Sequence, residues 1–257
     1  MLSLTASGFR DGLGERILTF DRAHGQVLER LRLRPELAAF EAPLGRRFEQ
    51  LARLDDPRLV RLQALERDED GRLALLSTYT GGVRASEAIR AAREREIVPD
   101  LALGLYVAAE TLAALHALHA EGCPHGALAL ERVALTPEGA VLVADYLFAE
   151  ALGALRFSPH RLWREFRLVV HNGDSPFTPA ADIRQTAFVA LAFITGRPLD
   201  AGDHESIEAA VSEATEAALI RGGRRLAHPL ATWFRRAITG GSPRGFADAA
   251  AAAAACD

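Results

Sequence analysis

The sequence predicts an α+β architecture of two unequal lobes: a small β-rich lobe with one helix over residues 1–80, then a larger, mostly helical lobe over 81–250. Two observations predict it. Short strand-patterned runs punctuated by turn residues fill the first part of the chain. From about Pro99 onward, long apolar runs at helical spacing take over.

In chain order, "ERILTF" and "VLERLRL" alternate as strands do, with the turn "RAHG" between them. "APLGRRFEQLARL" interrupts with a helical pattern, and "DEDG" turns the chain into the strand "RLALLSTY". "GRLALLSTYTGG" closes on a glycine pair, Gly81-Gly82, that suits a link between lobes. "PDLALGLYVAAETLAALHALHAEG" is apolar on several faces and reads as a buried helix ending at Gly122. "RVALT" and "AVLVAD" are short strands joined by "PEG". Residues 150–178 read as irregular, "ADIRQTAFVALAFITG" as an apolar helix, and amphipathic helices fill the rest. The alanine-rich residues 251–257 read as the last helix or the start of a linker to a further domain.

Composition narrows the function classes. At 257 residues there is ample material for a core, with 49% hydrophobic and 25% charged residues. A net charge of −4 gives no overall basic footprint for nucleic acid. No apolar run reads as long enough to span a bilayer, no secretory signal opens the chain, and Cys123 and Cys256 make no disulfide framework. A cytoplasmic location is the expectation. The chain contains no lysine, and all 30 basic side chains are arginine. No mechanism that needs a lysine ammonium operates here.

Four segments, in order and at the right spacing, resemble a bacterial serine/threonine protein kinase domain across nearly the whole chain. "RPELAAFEAPLGRRFEQLARLDDPRLVRL" is similar to the family's lysine-bearing strand, regulatory helix and next strand. "ALHAEGCPHGALALERVALTPEGAVLVADYLFAEAL" resembles the run from the helix before the catalytic loop to the D-F-G region. "SPHRLWRE" is similar to the segment around A-P-E, and "TPAADIRQTAFVALAFITGRPL" to the helix that follows it. The resemblance implies a protein-kinase-like bilobal fold.

The resemblance also implies that the chemistry has gone. The family's catalytic loop reads H-R-D-L-K-P-E-N. Here it runs from His125 to Arg132. Ala127 stands where an aspartate would accept the substrate proton, and a methyl group accepts nothing. Ala129 replaces the lysine that steadies the transferring phosphate, and Gly126 the arginine that grips an activation-segment phosphate. Arg132 replaces a metal-binding asparagine, placing a permanent cation where Mg²⁺ would sit. The family's strand lysine falls at Leu31, or at Arg30 with a one-residue slip, and its helix glutamate at Arg47. Of the glycine-rich loop, Phe9-Arg10-Asp11-Gly12-Leu13-Gly14 keeps only the third glycine, and the Asp11 carboxylate opposes a phosphate.

What remains implied is architectural. Asp182 matches the aspartate that holds the catalytic-loop backbone, and His125 a packing histidine. Asp145 matches the D-F-G aspartate, though Tyr146-Leu147 follow it. Glu165, or His160 in another register, matches the A-P-E glutamate, and Arg244 its buried arginine partner. Two contacts are therefore expected: Glu165 with Arg244, and Arg132 with Asp145, a fixed cation in place of Mg²⁺.

Other features have plain readings. His116, His119, Cys123 and His125 have spacings that admit zinc, but a helix end followed by G-x-x-H is ordinary in the resembled family. The arginines of "RGGRRLAHPLATWFRR" suit a solvated helix face or a partner-binding patch. The expected function is that of a pseudokinase, a catalytically inactive kinase-like domain acting as a protein-binding scaffold or allosteric regulator in bacterial signalling. Binding of ATP and Mg²⁺ is expected to be weak or absent. Two alternatives stay open: an atypical phosphoryl or nucleotidyl transferase built on this fold, and a small-molecule sensor whose former nucleotide cleft has room beside the small Ser77.

Overall fold

The computed structural model describes residues 2–170, 175–200, 203, 206–239 and 244–256. β1 (Leu2–Arg10), β2 (Gly14–Asp21), β3 (Gln26–Leu33), β4 (Leu62–Arg67) and β5 (Leu73–Thr78) form one antiparallel sheet in the order β1-β2-β3-β5-β4. A short α1 (Pro35–Ala38) precedes α2 (Glu41–Leu51), so the first lobe carries two helices rather than the one expected. Alternation within the strands sorts the sheet's faces. Leu31 lies opposite Arg16 on one side and Leu75 on the other, so all three share a face, and Glu29 and Ser77 are paired on that same face.

The second lobe begins with β6 (Val83–Arg84), which pairs with β7 (Val133–Leu135) and through it with β8 (Val141–Val143). Between them lie α3 (Ala85–Glu94), which the sequence pattern did not flag, and α4 (Leu101–Ala120), capped by the Asp100 side chain on Ala102 N–H. α4 is 20 residues long with a mean hydropathy of 1.6, so one segment does have the length and apolarity of a membrane span, contrary to the sequence expectation. Half of its most apolar 18 residues are buried inside the fold. Its apolar faces are spent on α7 and on the C-terminal helix, as in a core helix.

Residues expected to be irregular contain two helices, α5 (Ala149–Leu155) and α6 (Pro159–Phe166). α6 starts as sequence rules demand: the Ser158 hydroxyl accepts from Arg161 N–H at 3.3 Å, and Pro159 occupies the first turn. Its brevity hid the pattern. α7 (Pro179–Thr195) is buried almost throughout, which is why its sequence is apolar on every side. α8 (Ile207–Gly222), α9 (Arg224–Ile238) and α10 (Ala249–Ala254) complete the lobe. Within the alanine-rich run, residues 249–254 form α10, which packs on the core. Asp248 caps it, Ala249 and Ala252 are fully buried, and Trp233 Nε1 donates to Ala252 O at 3.0 Å.

The lobes are fastened by backbone. Val60 N–H donates to Val143 O (2.9 Å), Val143 N–H to Arg58 O (2.7 Å), and the Tyr146 hydroxyl to Val60 O (2.9 Å).

Candidate functional site

The site lies where the first sheet faces the segment from His125 to Asp145. Leu31 sits on the sheet's inner face and is 2% exposed, whereas Arg30, its neighbour on the other face, donates to Glu66 at 3.1 Å. The strand register therefore puts Leu31, not Arg30, on the face that meets the second lobe. An aliphatic side chain there leaves the nearby charge to another strand. Arg16, directly across from Leu31 on β2, sends its guanidinium into the cleft. Nη1 and Nη2 bind the two Asp145 oxygens at 3.1 and 2.7 Å, a two-pronged grip across the lobes. The same group bonds Glu29 at 2.8 Å and Asp11 at 3.3 Å.

This corrects the expected pairing of Arg132 with Asp145. Arg132, 1% exposed, closes a single 3₁₀ turn (Leu130–Arg132) and points elsewhere. Its Nη1 donates to Phe166 O at 2.9 Å and its Nη2 to Asp11 at 3.3 Å. A cation does stand against Asp145, but β2 supplies it, because that strand runs beside the position the lysine would have held. Burial opposes ionisation of Asp145, yet Arg16, followed by Arg84 and Arg132, holds its pKa below the ordinary carboxylate value. Burial likewise works against the Arg16 charge, and Asp145, Asp11 and Glu29 more than restore it.

Asp11 supplies the complementary anion. Its Oδ1 accepts from Leu13 N–H at 2.8 Å and Gly14 N–H at 3.4 Å, while Oδ2 faces Arg16 and Arg132. Loop amides that would cradle a phosphate thus hold the chain's own carboxylate. With Arg84 on Glu29, the cluster comprises three guanidinium groups (Arg16, Arg84, Arg132) and three carboxylates (Asp11, Glu29, Asp145), formally neutral.

The fit of Mg²⁺ and nucleotide follows from these contacts. Both Asp145 oxygens are engaged by a cation, a second cation occupies the asparagine position, and the loop amides are taken. The residues do not fit the metal or the phosphates.

The backbone at His125 and Gly126 is held by Asp182. Asp182 accepts from His125 N–H (2.7 Å), Gly126 N–H (2.9 Å) and His119 Nε2 (2.8 Å). His125 donates from Nε2 to Ala144 O at 2.9 Å and accepts from Ala127 N–H at Nδ1. Burial pushes the His125 pKa down to about 4, and Arg132 adds to this against the pull of Asp182. Ala127 and Ala129 are 0% and 5% exposed, and Ala127 belongs to the apolar core. Gly126 has φ +71°, and a Cβ there would lie 2.4 Å from the Ala149 Cβ. The arginine the resemblance would place at this position is excluded by α5.

Arg47 does more than lack a partner. Buried on α2, it donates from Nε and Nη2 to Tyr146 O at 3.3 and 3.2 Å, and from Nη2 to Pro124 O as well. It joins the first lobe's helix to the second-lobe backbone at Pro124 and Tyr146. Burial lowers its pKa, and the carbonyl partners supply dipoles in place of a counter-ion.

Glu165 also departs from expectation. Its carboxylate is shared by Arg34 of the first lobe and Arg161 (2.8 Å), not by Arg244. The reason is that α6 swings up against the loop before β2. Arg34 also donates to Gly12 O at 3.1 Å, and a Cβ on Gly12 would lie 2.1 Å from Glu165 O. The end of α6 fills the space below that loop. His160 is exposed in the first turn of α6, so the alternative register does not provide a buried partner for Arg244. Ser77 is 9% exposed on β5, and neither of the two principal cavities reaches it. Among the described residues, His116, His119, Cys123 and His125 form no metal-ligand cluster.

The roles of Arg16, Arg34 and Asp11 as interlobe contacts were missed from sequence. The one usable signal was Arg16 opposite Leu31, legible only after the hairpin register is known.

No protein-family model and no curated protein matches the chain in sequence. Solved structures do match. A mutant form of the Mycobacterium tuberculosis PknI kinase domain is 20% identical, with TM-score 0.65 over 99% of this chain and 92% of that one. Another PknI kinase domain gives 18% identity and TM-score 0.67 over 99% and 94%. The kinase domain of maize SIRK1 (sucrose-induced receptor kinase 1) bound to AMP-PNP gives 18% identity and TM-score 0.71 over 96% and 90%.

Proposed function

The chain has a protein-kinase-like fold, and from that premise we propose that it is a pseudokinase: a catalytically inactive domain that works by binding a protein partner. One observation carries the reading. The locus that would hold metal and phosphates is filled by Asp145 on Arg16 and by Asp11 on the loop amides, within a formally neutral set of guanidinium and carboxylate groups. Ala127 removes the proton acceptor, and the absence of lysine removes the usual phosphate contact. Arg47 and the backbone bonds between lobes hold the closed arrangement in place. A domain whose cleft is occupied by its own ion pairs presents a constant surface, which suits a scaffold or allosteric regulator in bacterial signalling, and two free thiols suit a reducing cytoplasm.

Thermal denaturation with and without millimolar ATP and Mg²⁺ or Mn²⁺ tests this. No shift in Tm is expected. A concentration-dependent rise, or saturable ATP binding at micromolar levels by calorimetry, overturns the reading.

A further inference from the structure

The outer side of α9 is strongly basic. Arg224, Arg225, His228, Thr232, Arg235 and Arg236 are all exposed and recur at helical spacing along one stripe, while Leu230, Trp233 and Phe234 face the core. Over the helix's 15 residues the stripe runs about 22 Å. In a chain of net charge −4, the sequence holds no acidic residue between Glu216 and Asp248. Asp248 is committed as the cap of α10. Among the described residues, none of the four arginines makes an ion pair. Arg236 lies 4.1 Å over the Phe246 ring, which leaves its charge unneutralised.

The N-terminal end of the stripe carries an apolar tip. α8 gives way to α9 at Gly222-Gly223, and the last turn of α8 presents Leu219 and Ile220 to solvent, Ile220 being 77% exposed. Arg221 fixes this corner, donating from Nη1 to Pro99 O at 2.7 Å and from Nη2 to Ile194 O. The first bond brings the corner beside the loop between α3 and α4, where Ile97 and Val98 are exposed as well. The acids nearest in sequence are Glu216, one turn back on α8, and Glu94 and Glu96, before Ile97. None of the four aliphatic residues lines either principal cavity, so the tip is a projection and not a groove.

We propose that this face binds an anionic lipid surface, with α9 lying along the headgroups and the aliphatic tip entering the boundary between headgroups and acyl chains. Guanidinium groups without carboxylate partners pair with lipid phosphates. The aliphatic side chains gain by leaving water. Interfacial binding of this kind grows with both the apolar area buried and the attraction to anionic lipid. An acidic protein segment would satisfy the arginines alone and leave Ile220 and Val98 in water, whereas a bilayer answers both features. None of these residues belongs to the cluster at Asp145, so the proposal goes beyond the inactive-cleft reading and does not depend on it.

Sedimentation of the full chain with sucrose-loaded vesicles tests it. Vesicles of phosphatidylcholine alone are compared with vesicles in which about one lipid in three is phosphatidylglycerol. Binding to the anionic vesicles is expected, with little to the neutral ones and a decline as salt rises. The Arg224→Glu/Arg225→Glu double variant, at exposed positions, should weaken partitioning by at least about tenfold. Leu219→Ser/Ile220→Ser should weaken it by about tenfold at unchanged Tm. Absence of binding to anionic vesicles, equal binding to neutral ones, or unchanged partitioning in either double variant overturns the proposal. Saturable binding of soluble polyglutamate without binding to anionic vesicles would assign the face to an acidic protein and overturns it likewise.

Discussion

Arg16 and Asp145 are each about 4% exposed in their side chains, so their worth is asymmetric. Together they neutralise one another; removing either leaves the other a buried charge without its nearest counter-ion. Arg16→Met should therefore destabilise by about 3–5 kcal/mol, and adding Asp145→Asn should recover a large part of that loss. Urea denaturation of the two variants checks it, and an additive double variant would show that the contact carries no energy. The pair also sets a pH dependence. The folded Asp145 pKa is depressed, so its contribution is complete above the unfolded value of about 3.9 and is lost as pH falls below that.

His125 gives the stronger slope at milder pH. Its folded pKa is about 4, against 6.5 for a free imidazole. Between these values the unfolded chain takes up a proton that the folded chain refuses. Stability therefore falls as pH drops from 6.5 through 4, by about 3 kcal/mol in total. His125→Asn should flatten that part of the stability–pH curve, whatever it costs at neutral pH, and an unchanged slope would move the titration elsewhere.

Among the elements, the contact between the loop before β2 and the end of α6 has no tolerance. Gly12 packs so closely on Glu165 that Gly12→Ala must push the two apart. The expected result is a loss on the order of 1–3 kcal/mol and faster amide exchange at Leu168 and its neighbours, since the Arg34–Glu165 contact parts with it. Unaltered exchange would mean that the loop, not α6, absorbs the change. Arg47 plays the matching role behind the cleft. It was legible as a missing glutamate but not as a clamp, because its partners are the carbonyls of Pro124 and Tyr146, and any residue carries a carbonyl. α6 itself had a readable start in Ser158-Pro159, whereas α5 has no side-chain cap to mark its beginning.

In the whole molecule, the C-terminal helix closes the core. α10 packs on α4, and Trp233 bonds to its backbone. Ending the chain before Asp248 should uncover apolar surface of α4 and orphan the Trp233 N–H, lowering Tm by several degrees and increasing binding of a hydrophobic dye. A truncated chain with unchanged Tm would return the alanine run to the status of a tail.

The β-rich first lobe, the helical second lobe and the long helices α4 and α7 were decided within the sequence, because hydrophobic periodicity and turn residues are local properties; the short helices α1, α3, α5 and α6 were not legible in that periodicity. The residue types at each position were decided there as well: alanine at position 127 and a chain without lysine are covalent facts that no packing alters. Which charges meet was decided only by the tertiary structure. The chain carries 30 arginines of identical chemistry, and the sequence offers Arg132 for Asp145 and Arg244 for Glu165 as readily as any other choice. Strand register placed Arg16 opposite Leu31 and within reach of Asp145, and the tilt of α6 toward the first lobe delivered Glu165 to Arg34. Ion pairs depend on distances of a few ångströms between residues more than a hundred positions apart, and only the packed chain determines such distances.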